Sequence, residues 1–283
     1  MPDTRPSFYR RFRDLARERS PFCCGVDPSD ALLEAWDLPR SAAGVGEFCD
    51  RLLEAAGESV TLFKPQSAFF ERFGPEGVAQ LRRFVVRARE QGSLVLLDCK
   101  RGDIDSTLEA YAHGLVGRGS PMGADAVTLT AYLGPGTLRP MVERAHTEGA
   151  YLFVVVLSSN PEGRTLQDAR LGDGRTVAEY LADSISEWND ISDEEVGPVG
   201  AVVGATSGSA AASVVERLPR SLFLAPGLGA QGASFEDVRR LFGQALPRVI
   251  PTSSRGVLGQ GPSVDALRRR LIREQDSART LWD

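Results

Sequence analysis

Residues 94–107 read LVLLDCKRGDIDST and change from apolar to charged within a few positions. The apolar run 94–97 is typical of a strand that is buried on both faces, as in a parallel sheet. Four charged side chains follow it at once: Asp98, Lys100, Arg101 and Asp103. Beyond them apolar residues recur at helical spacing. The segment therefore predicts a buried strand, a charged turn and a helix, and in α/β proteins functional side chains gather at such a strand end.

Further apolar runs of strand length occur along the whole chain, with helical patterns between them. The predicted strands cover residues 22–27, 61–66, 94–100, 126–132, 152–159, 201–206, 222–229 and 248–254. Eight strands that alternate with helices predict a closed (β/α)8 TIM barrel, a single domain over residues 1–283. An open doubly wound sheet is the alternative. It is disfavoured because the turn after the first strand, CGVDPSD, lacks the G-x-G-x-x-G pattern of dinucleotide-binding folds.

Two segments lie outside this alternation. Residues 1–20 or so form an Arg-rich N-terminal extension, in which Phe8, Phe12 and Leu15 share one helical face, and we expect a helix that packs on the barrel. Residues 160–174 follow the fifth strand as a long irregular loop. This loop is interpreted either as a gate over the site or as a solvated insertion.

The composition is that of an ordinary globular protein, with 42% hydrophobic and 25% charged residues and a formal net charge of −5 over 283 residues. The acidic balance argues against a nucleic-acid partner, and no apolar stretch is long enough for a membrane span. The four cysteines show neither C-x-x-C spacing nor a nearby histidine cluster. We therefore expect no structural metal and no disulfide framework, and we expect a reducing, cytoplasmic location.

Polar and charged side chains stand at several predicted strand ends, which in a barrel face one shared pocket. In chain order these are Asp27, Lys64, Asp98, Lys100, Asp103, Ser158 and Ser159, followed by the turns PGLGAQGAS and TSSRG. Alternative interpretations exist for single residues. Asp27 precedes a proline and can simply start a turn, and Lys64 can be solvated. Asp103 can be the N-cap of a helix that begins at Ile104.

The alternation of lysine and aspartate has a physical logic, because neighbouring opposite charges keep one another ionised against desolvation. A lysine held as ammonium, as we expect for Lys100, is a proton donor and not the neutral amine that Schiff-base chemistry needs. The Gly-rich turns after the seventh and eighth strands are suited to phosphate. They offer backbone amides, a glutamine and Arg255, whose guanidinium can bind phosphate in a bidentate manner.

The segment DCKRGDIDST (98–107) follows the pattern D-x-K-x-x-D-I-x-x-T and resembles the signature of the orotidine 5′-phosphate decarboxylase family. FKPQSAFFE (63–71) is similar to the second-strand lysine segment of the longer bacterial type of that family. CGVDPS, APGLGAQG and TSSRG resemble its first strand end and its phosphate-binding turns. The resemblance covers roughly residues 22–261.

The resemblance implies a Lys–Asp–Lys–Asp charge network. Lys100 would protonate C6 of the pyrimidine, Asp98 would lie against the substrate carboxylate, and Lys64 and Asp103 would complete the network. In the family, residues matching Asp103, Ile104 and Thr107 reach the active site of the neighbouring subunit. A homodimer with shared sites is therefore implied.

The remaining implied roles concern the nucleotide. Asp27 and Lys64 would bind the ribose hydroxyls, and Pro226 would lie beside the base. Either Ser158 or Ser159 would contact the pyrimidine, and the doublet leaves this choice open. Gln231 and Arg255 would bind the phosphate.

The implied reaction converts orotidine 5′-monophosphate to uridine 5′-monophosphate and carbon dioxide, as in de novo pyrimidine biosynthesis, without metal or organic cofactor. Three alternatives remain. A metal-dependent sugar-phosphate lyase of the same suprafamily resembles E-x-K-x-x-D where this chain has Asp98. A non-catalytic nucleotide-binding barrel would use the charges for recognition only. In a purely structural protein the charges would be solvated.

Overall fold

The computed structural model describes residues 6–205, 208, 210–227 and 234–282. Eight parallel strands close in sequence order into a barrel. The strands are β1 (Cys23–Val26), β2 (Leu62–Pro65), β3 (Leu94–Arg101), β4 (Ala126–Leu129), β5 (Tyr151–Leu157), β6 (Val199–Val203), β7 (Phe223–Ala225) and β8 (Val249–Ser253). The prediction of a (β/α)8 barrel is confirmed, and the open doubly wound sheet is wrong, because β8 pairs with β1.

Helices alternate with the strands and surround the barrel. They are α1 (Phe8–Glu18), α2 (Asp30–Ala35), α3 (Ala42–Ala56), α4 (Ala68–Glu71), α5 (Gly74–Glu90), α6 (Asp105–Leu115), α7 (Arg139–Glu148), α8 (Gly163–Gln167), α9 (Val177–Asn189), α10 (Ala210–Glu216), α11 (Phe235–Phe242), α12 (Arg255–Leu258) and α13 (Val264–Arg279). None of the helices in the described part of the chain has the length and apolar character needed to cross a membrane.

The fourth strand is shorter than predicted. The apolar pattern predicts a strand over residues 126–132, but β4 ends at Leu129. The chain turns directly afterwards, where the Gly134 N–H donates to the carbonyl of Ala131 at 3.0 Å and Gly134 has a φ of 101°. Tyr132 is 80% exposed as a result. The predicted ends of the sixth and seventh strands, 206 and 228–229, lie outside the described residues.

Side chains of the strands alternate between two packing layers. In β3, Leu94 and Leu96 lie in the interior of the barrel, whereas Val95 and Leu97 pack against the surrounding helices. Full burial of each such side chain contributes about 1.5–3 kcal/mol to folding. Because both layers are apolar, the strands appear in the sequence as continuous apolar runs.

Helix α1 closes the end of the barrel at which the strands begin. Phe8 and Phe12 are fully buried, and the Phe8 ring lies 5.2 Å from the ring of Tyr151 at the start of β5. The Arg11 guanidinium binds the carboxylate of Asp125, just before β4, at 2.6 Å. With this end filled, the open end of the barrel is the one at which the strands terminate.

The segment 160–174, predicted as an irregular loop, contains helix α8. Within it Arg164 and Asp168 form an ion pair at 2.9 Å, four residues apart. Beyond the helix, Arg170 and Thr176 form an isolated antiparallel bridge. The helix and the bridge satisfy backbone groups that a fully irregular loop would leave to water.

Candidate active site

Strand β3 carries the central charges, and its geometry is irregular where they stand. Its pairing with β4 shifts register between Leu97 and Arg101. Within this stretch Lys100 has a φ of 45°, in the left-handed region that residues other than glycine seldom adopt. The next residue but one, Gly102, packs against the backbone of Thr130. A side chain does not fit there, because a Cβ would lie 2.2 Å from the Thr130 carbonyl oxygen. Unusual backbone therefore accompanies the charged strand end.

The carboxylate of Asp98 lies between two ammonium groups. Lys64 Nζ is 2.7 Å from Oδ2, and Lys100 Nζ is 2.5 Å from Oδ1. The side chains of Lys64 and Asp98 are each only 9% exposed, whereas the Lys100 side chain is about half exposed at 47%. Lys100 thus connects a buried ion pair with the open end of the barrel.

The electrostatics of this cluster follow from burial and from the close charges. Burial alone would raise the pKa of Asp98, but the two neighbouring ammonium groups outweigh it and hold that pKa well below its ordinary value. Burial alone would lower the pKa of Lys64, yet the carboxylates of Asp98 and Asp27 raise it above its ordinary value. Both groups therefore remain ionised throughout the physiological pH range.

Two neutral side chains also bind Asp98, and the sequence-based prediction includes neither of them. Thr128 in β4 donates from its hydroxyl to Oδ1 at 2.9 Å. The amide of Gln66, with its nitrogen turned toward the carboxylate, lies 2.9 Å from Oδ2. A polar residue inside the apolar strand AVTL was the available signal for Thr128.

A cavity of about 230 Å³ opens beside this cluster, at the ends of β1, β2, β7 and β8. Asp27, Lys64, Asp98, Pro226 and Arg255 are among the residues that line it. Asp27 Oδ1 is buried and has no hydrogen-bond partner among the described residues, and the same holds for Oγ of Ser254. Buried polar atoms normally have a partner, so a water or a polar group of a ligand would complete these two.

Other predicted site residues lie apart from this cavity. Asp103 accepts from the N–H of Ile104 at 2.9 Å and does not contact Asp98 or Lys100. The interpretation of Asp103 as an N-cap of a helix beginning at Ile104 is wrong: α6 begins at Asp105, with Ile104 at its N-cap position and no side-chain cap. Asp105, the first residue of α6, has a left-handed φ of 47°. Thr107 is exposed on the first turn of α6.

Ser158 and Ser159 line a second cavity of about 230 Å³, which lies after β5. The Ser158 N–H donates to Oε1 of Gln167 at 3.0 Å, and Nε2 of Gln167 donates to Oγ of Ser158 at 2.9 Å. Gln231, the other predicted phosphate ligand, lies outside the described residues.

The lysine content supplies a further signal for this site. Of the 33 basic residues of the chain, all but two are arginines, and the two lysines are Lys64 and Lys100. Arginine keeps its proton under all ordinary conditions, whereas lysine is a compact charge that can release one. The only two lysines of the chain thus stand on either side of the same carboxylate.

Comparison with known proteins identifies the family. The family model described as orotidine 5′-phosphate decarboxylase / HUMPS family matches residues 20–270. The chain belongs to this family. An orotidine 5′-phosphate decarboxylase of Myxococcus xanthus is 53% identical over 273 residues, which are 96% of this chain and 95% of the relative. The Salinispora tropica protein of the same name is 50% identical and covers 93% of each chain.

A solved structure supports the same assignment. The crystal structure of a putative orotidine 5′-phosphate decarboxylase from Streptomyces avermitilis superposes with a TM-score of 0.92 at 44% identity, and the match covers 98% of this chain and 96% of that chain. The predicted membership in a family of decarboxylating enzymes is therefore confirmed, as is the barrel fold.

Proposed function

We propose that this protein decarboxylates orotidine 5′-monophosphate to uridine 5′-monophosphate and carbon dioxide, a step of de novo pyrimidine synthesis in the cytoplasm. The observation that carries the proposal is the Asp98 carboxylate, buried at the open end of the barrel and bound by both lysines of the chain. The relatives that bear the name orotidine 5′-phosphate decarboxylase support the choice of substrate.

The chemistry follows from this charge arrangement. When the bond between C6 and the carboxylate breaks, carbon dioxide leaves and the electron pair remains on C6. The Lys100 ammonium, 2.5 Å from Asp98 and on a side chain that is half exposed, stabilises this charge and then transfers a proton to C6. The adjacent Asp98 faces the carboxylate of the substrate and disfavours its charged ground state, and neither metal nor organic cofactor takes part in the proposed step.

Substrate binding uses the groups around the first cavity. The unsatisfied Oδ1 of Asp27 accepts from a ribose hydroxyl, with Lys64 beside it, and Pro226 lies against the base. Arg255 binds the phosphate from the start of α12, together with Gln231. Ser158 or Ser159 contacts the pyrimidine. Binding of the remote phosphate supplies energy for closing the site over the reacting atoms.

The proposal includes a homodimer in which Asp103, Ile104 and Thr107 enter the site of the partner subunit. Three observations support it. Asp103 is not part of the charge cluster of its own chain, and Ile104 is 48% exposed although it is apolar. Tyr132 and Leu133, which are 80% and 54% exposed, follow β4, the strand that pairs with β3. An apolar surface of this kind beside an active site is typical of an interface.

The metal-dependent lyases considered above require a divalent cation at the same strand end. Here the Asp98 carboxylate is bound by Lys64 and Lys100, whose positive charges would repel such a cation. The two activities are separated by a chelator: turnover of orotidine 5′-monophosphate that persists in excess EDTA supports the proposal, and its abolition supports the metal-dependent lyase.

Replacing Lys100 tests the proposed role of its ammonium. We expect Lys100→Ala to lower kcat by at least about 100-fold, as for other preorganised charged or polar groups. Lys100→Arg keeps the charge but cannot release a proton, so we expect a similarly low kcat. The measurement is the decrease in orotidylate absorbance with time.

Arg139→Ala, on the exposed surface of α7, is the control and should retain wild-type turnover. Substantial turnover by Lys100→Ala would exclude Lys100 as the proton donor. Binding of uridine nucleotide by the wild type without any turnover would instead support a non-catalytic barrel.

A further inference from the structure

Thr128 is a buried threonine in the strand next to the charge cluster. It is 1% exposed and is the third residue of β4, where its neighbours Val127 and Leu129 are apolar. Its hydroxyl oxygen lies 2.9 Å from Oδ1 of Asp98 and 2.9 Å from the backbone nitrogen of Lys100. One oxygen atom therefore contacts both residues that flank the proposed reacting centre.

The direction of both hydrogen bonds follows from the chemistry of the groups. An ionised carboxylate can only accept, so the Thr128 hydroxyl donates its single proton to Asp98. A backbone N–H can only donate, so Lys100 donates to the same hydroxyl oxygen. With its proton committed in this way, Thr128 has no proton to give to a substrate. Its contribution is to hold other groups in place.

The bond to Lys100 matters because the backbone there is unusual. The register between β3 and β4 shifts between Leu97 and Arg101, and Lys100 has a φ of 45°. The Lys100 N–H donates to the side-chain oxygen of Thr128. The hydroxyl thus links the left-handed backbone of Lys100 to the carboxylate that binds Lys100 Nζ.

We propose that Thr128 is a positioning residue for the decarboxylation, which sets the distance and orientation of Lys100 relative to Asp98. This inference rests on the proposed function. Without the hydroxyl, the carboxylate loses one donor and the Lys100 N–H loses its acceptor, so both groups can rotate away from the substrate. Small displacements of this kind are costly, because a shift of about 1 Å can reduce a rate by about 100-fold.

The test compares Thr128→Val, which keeps the β-branched shape, with Thr128→Ser, which keeps the hydroxyl. For Thr128→Val we expect kcat to fall by about 10- to 100-fold. Affinity for uridine 5′-monophosphate, which has no carboxylate to place against Asp98, should remain within about 3-fold of wild type. Thr128→Ser should restore kcat to within about 3-fold of wild type.

Thr61→Val is the matched control. Thr61 is equally buried and donates to the carbonyl of Ser20 at 2.7 Å, but it stands at the closed end of the barrel. We expect its kcat to be unchanged although its stability falls. Amide hydrogen exchange at Lys100 adds a readout that does not depend on turnover, and it should be about 10-fold faster in Thr128→Val than in the wild type.

Retention of wild-type kcat by Thr128→Val, or an equal loss in Thr128→Ser, would overturn the inference. So would a parallel loss of kcat and nucleotide affinity, because that pattern marks general misfolding. If the wild-type protein itself shows no turnover, the proposed function fails and this inference fails with it. That case is distinguishable, since in all the other cases the wild type is active and the Thr128 variants are compared with it.

Discussion

At Asp98 one buried carboxylate is bound by four donors from three strands or strand ends. Lys64 and Lys100 supply charge, and Thr128 and Gln66 supply neutral hydrogen bonds. Burial of a carboxylate is unfavourable unless its oxygens are satisfied and its charge is balanced. The arrangement keeps an anion fixed where a substrate carboxylate is proposed to bind. The unfavourable free energy of burying this anion is offset by the favourable free energy of folding.

Replacing Asp98 by asparagine should destabilise the protein by about 3–5 kcal/mol, because the buried Lys64 loses its closest counter-charge. The effect should depend on pH. The pKa of Asp98 is lowered in the folded state, so its ionised form stabilises the fold above the ordinary value of 3.8, and this contribution is lost as the pH falls below it. Urea unfolding of both proteins at pH 7 and pH 3 should therefore show a smaller difference at pH 3.

The ion pair of Lys64 and Asp98 also predicts how the stability of the fold changes at alkaline pH. The pKa of Lys64 is raised in the folded state, so its stabilisation is complete below the ordinary value of 10.5 and is lost as the pH rises beyond it. Asp173→Asn, which alters an exposed ion pair with Arg175, is the control and should destabilise the protein far less than Asp98→Asn, because surface ion pairs contribute little. A pH-independent difference between wild type and Asp98→Asn would contradict the assignment of the two shifts.

Among the secondary-structure elements, helix α9 shows how the segment after β5 is anchored. Thr176 caps the helix by accepting from the Glu179 N–H, and the Glu179 carboxylate accepts from the Thr176 N–H in return. This backbone hydrogen bond is the main cause that lowers the pKa of Glu179 to about 2. The cap thereby fixes the start of α9, which follows the 160–174 segment.

Removing the cap should weaken α9 measurably. We expect Thr176→Ala to lower the free energy of unfolding by about 1 kcal/mol at pH 7, the usual effect of losing an N-cap hydroxyl. The stabilisation from Glu179 is present above its ordinary pKa of 4.5 and is lost as the pH falls toward 2. Thr147→Ala, at an exposed position within α7, should change stability by less than about 0.5 kcal/mol. Equal effects of the two substitutions in thermal unfolding would argue against the capping role.

At the scale of the whole molecule, α1 fills one end of the barrel and the charge cluster occupies the other. Asp103 follows the charged end of β3, and its carboxylate accepts from the N–H of Ile104 and not from a lysine of the cluster. If each site takes Asp103 from the partner subunit, variants of the two kinds should complement each other. A heterodimer of Lys100→Ala and Asp103→Ala contains one site with both groups intact.

Mixing equal amounts of these two inactive variants should therefore recover about a quarter of wild-type activity, since half of the dimers are heterodimers and each has one intact site of two. Subunit exchange is followed by native mass spectrometry on chains with different tags. A mixture of Lys100→Ala with Asp98→Asn is the control and should recover nothing, because both groups belong to the same chain's site. Absence of recovery despite demonstrated exchange would contradict the shared site.

Local patterns along the chain were sufficient to predict the fold class and much of the composition of the charged strand end. Continuous apolar runs alternating with helical spacing predict the barrel, because strands buried on both faces have no polar side. The position of Asp98 and Lys100 directly after such a run predicts that they meet, since residues two apart on a strand point the same way. The segment DCKRGDIDST was enough to identify the family, which the comparisons confirm.

Only the tertiary structure revealed three features of the site and the barrel. These are the contacts of Thr128 and Gln66 with Asp98, the left-handed backbone of Lys100, and the way α1 covers one end of the barrel. Thr128 stands 30 positions from Asp98, and the two meet through the register between β3 and β4, which is shifted at this point. Periodicity indicates which face of an element is buried, but it does not indicate the register in which neighbouring strands pair. Register is set by packing and by long-range hydrogen bonds, so the neutral donors around a predicted charge become visible only once the strands are paired.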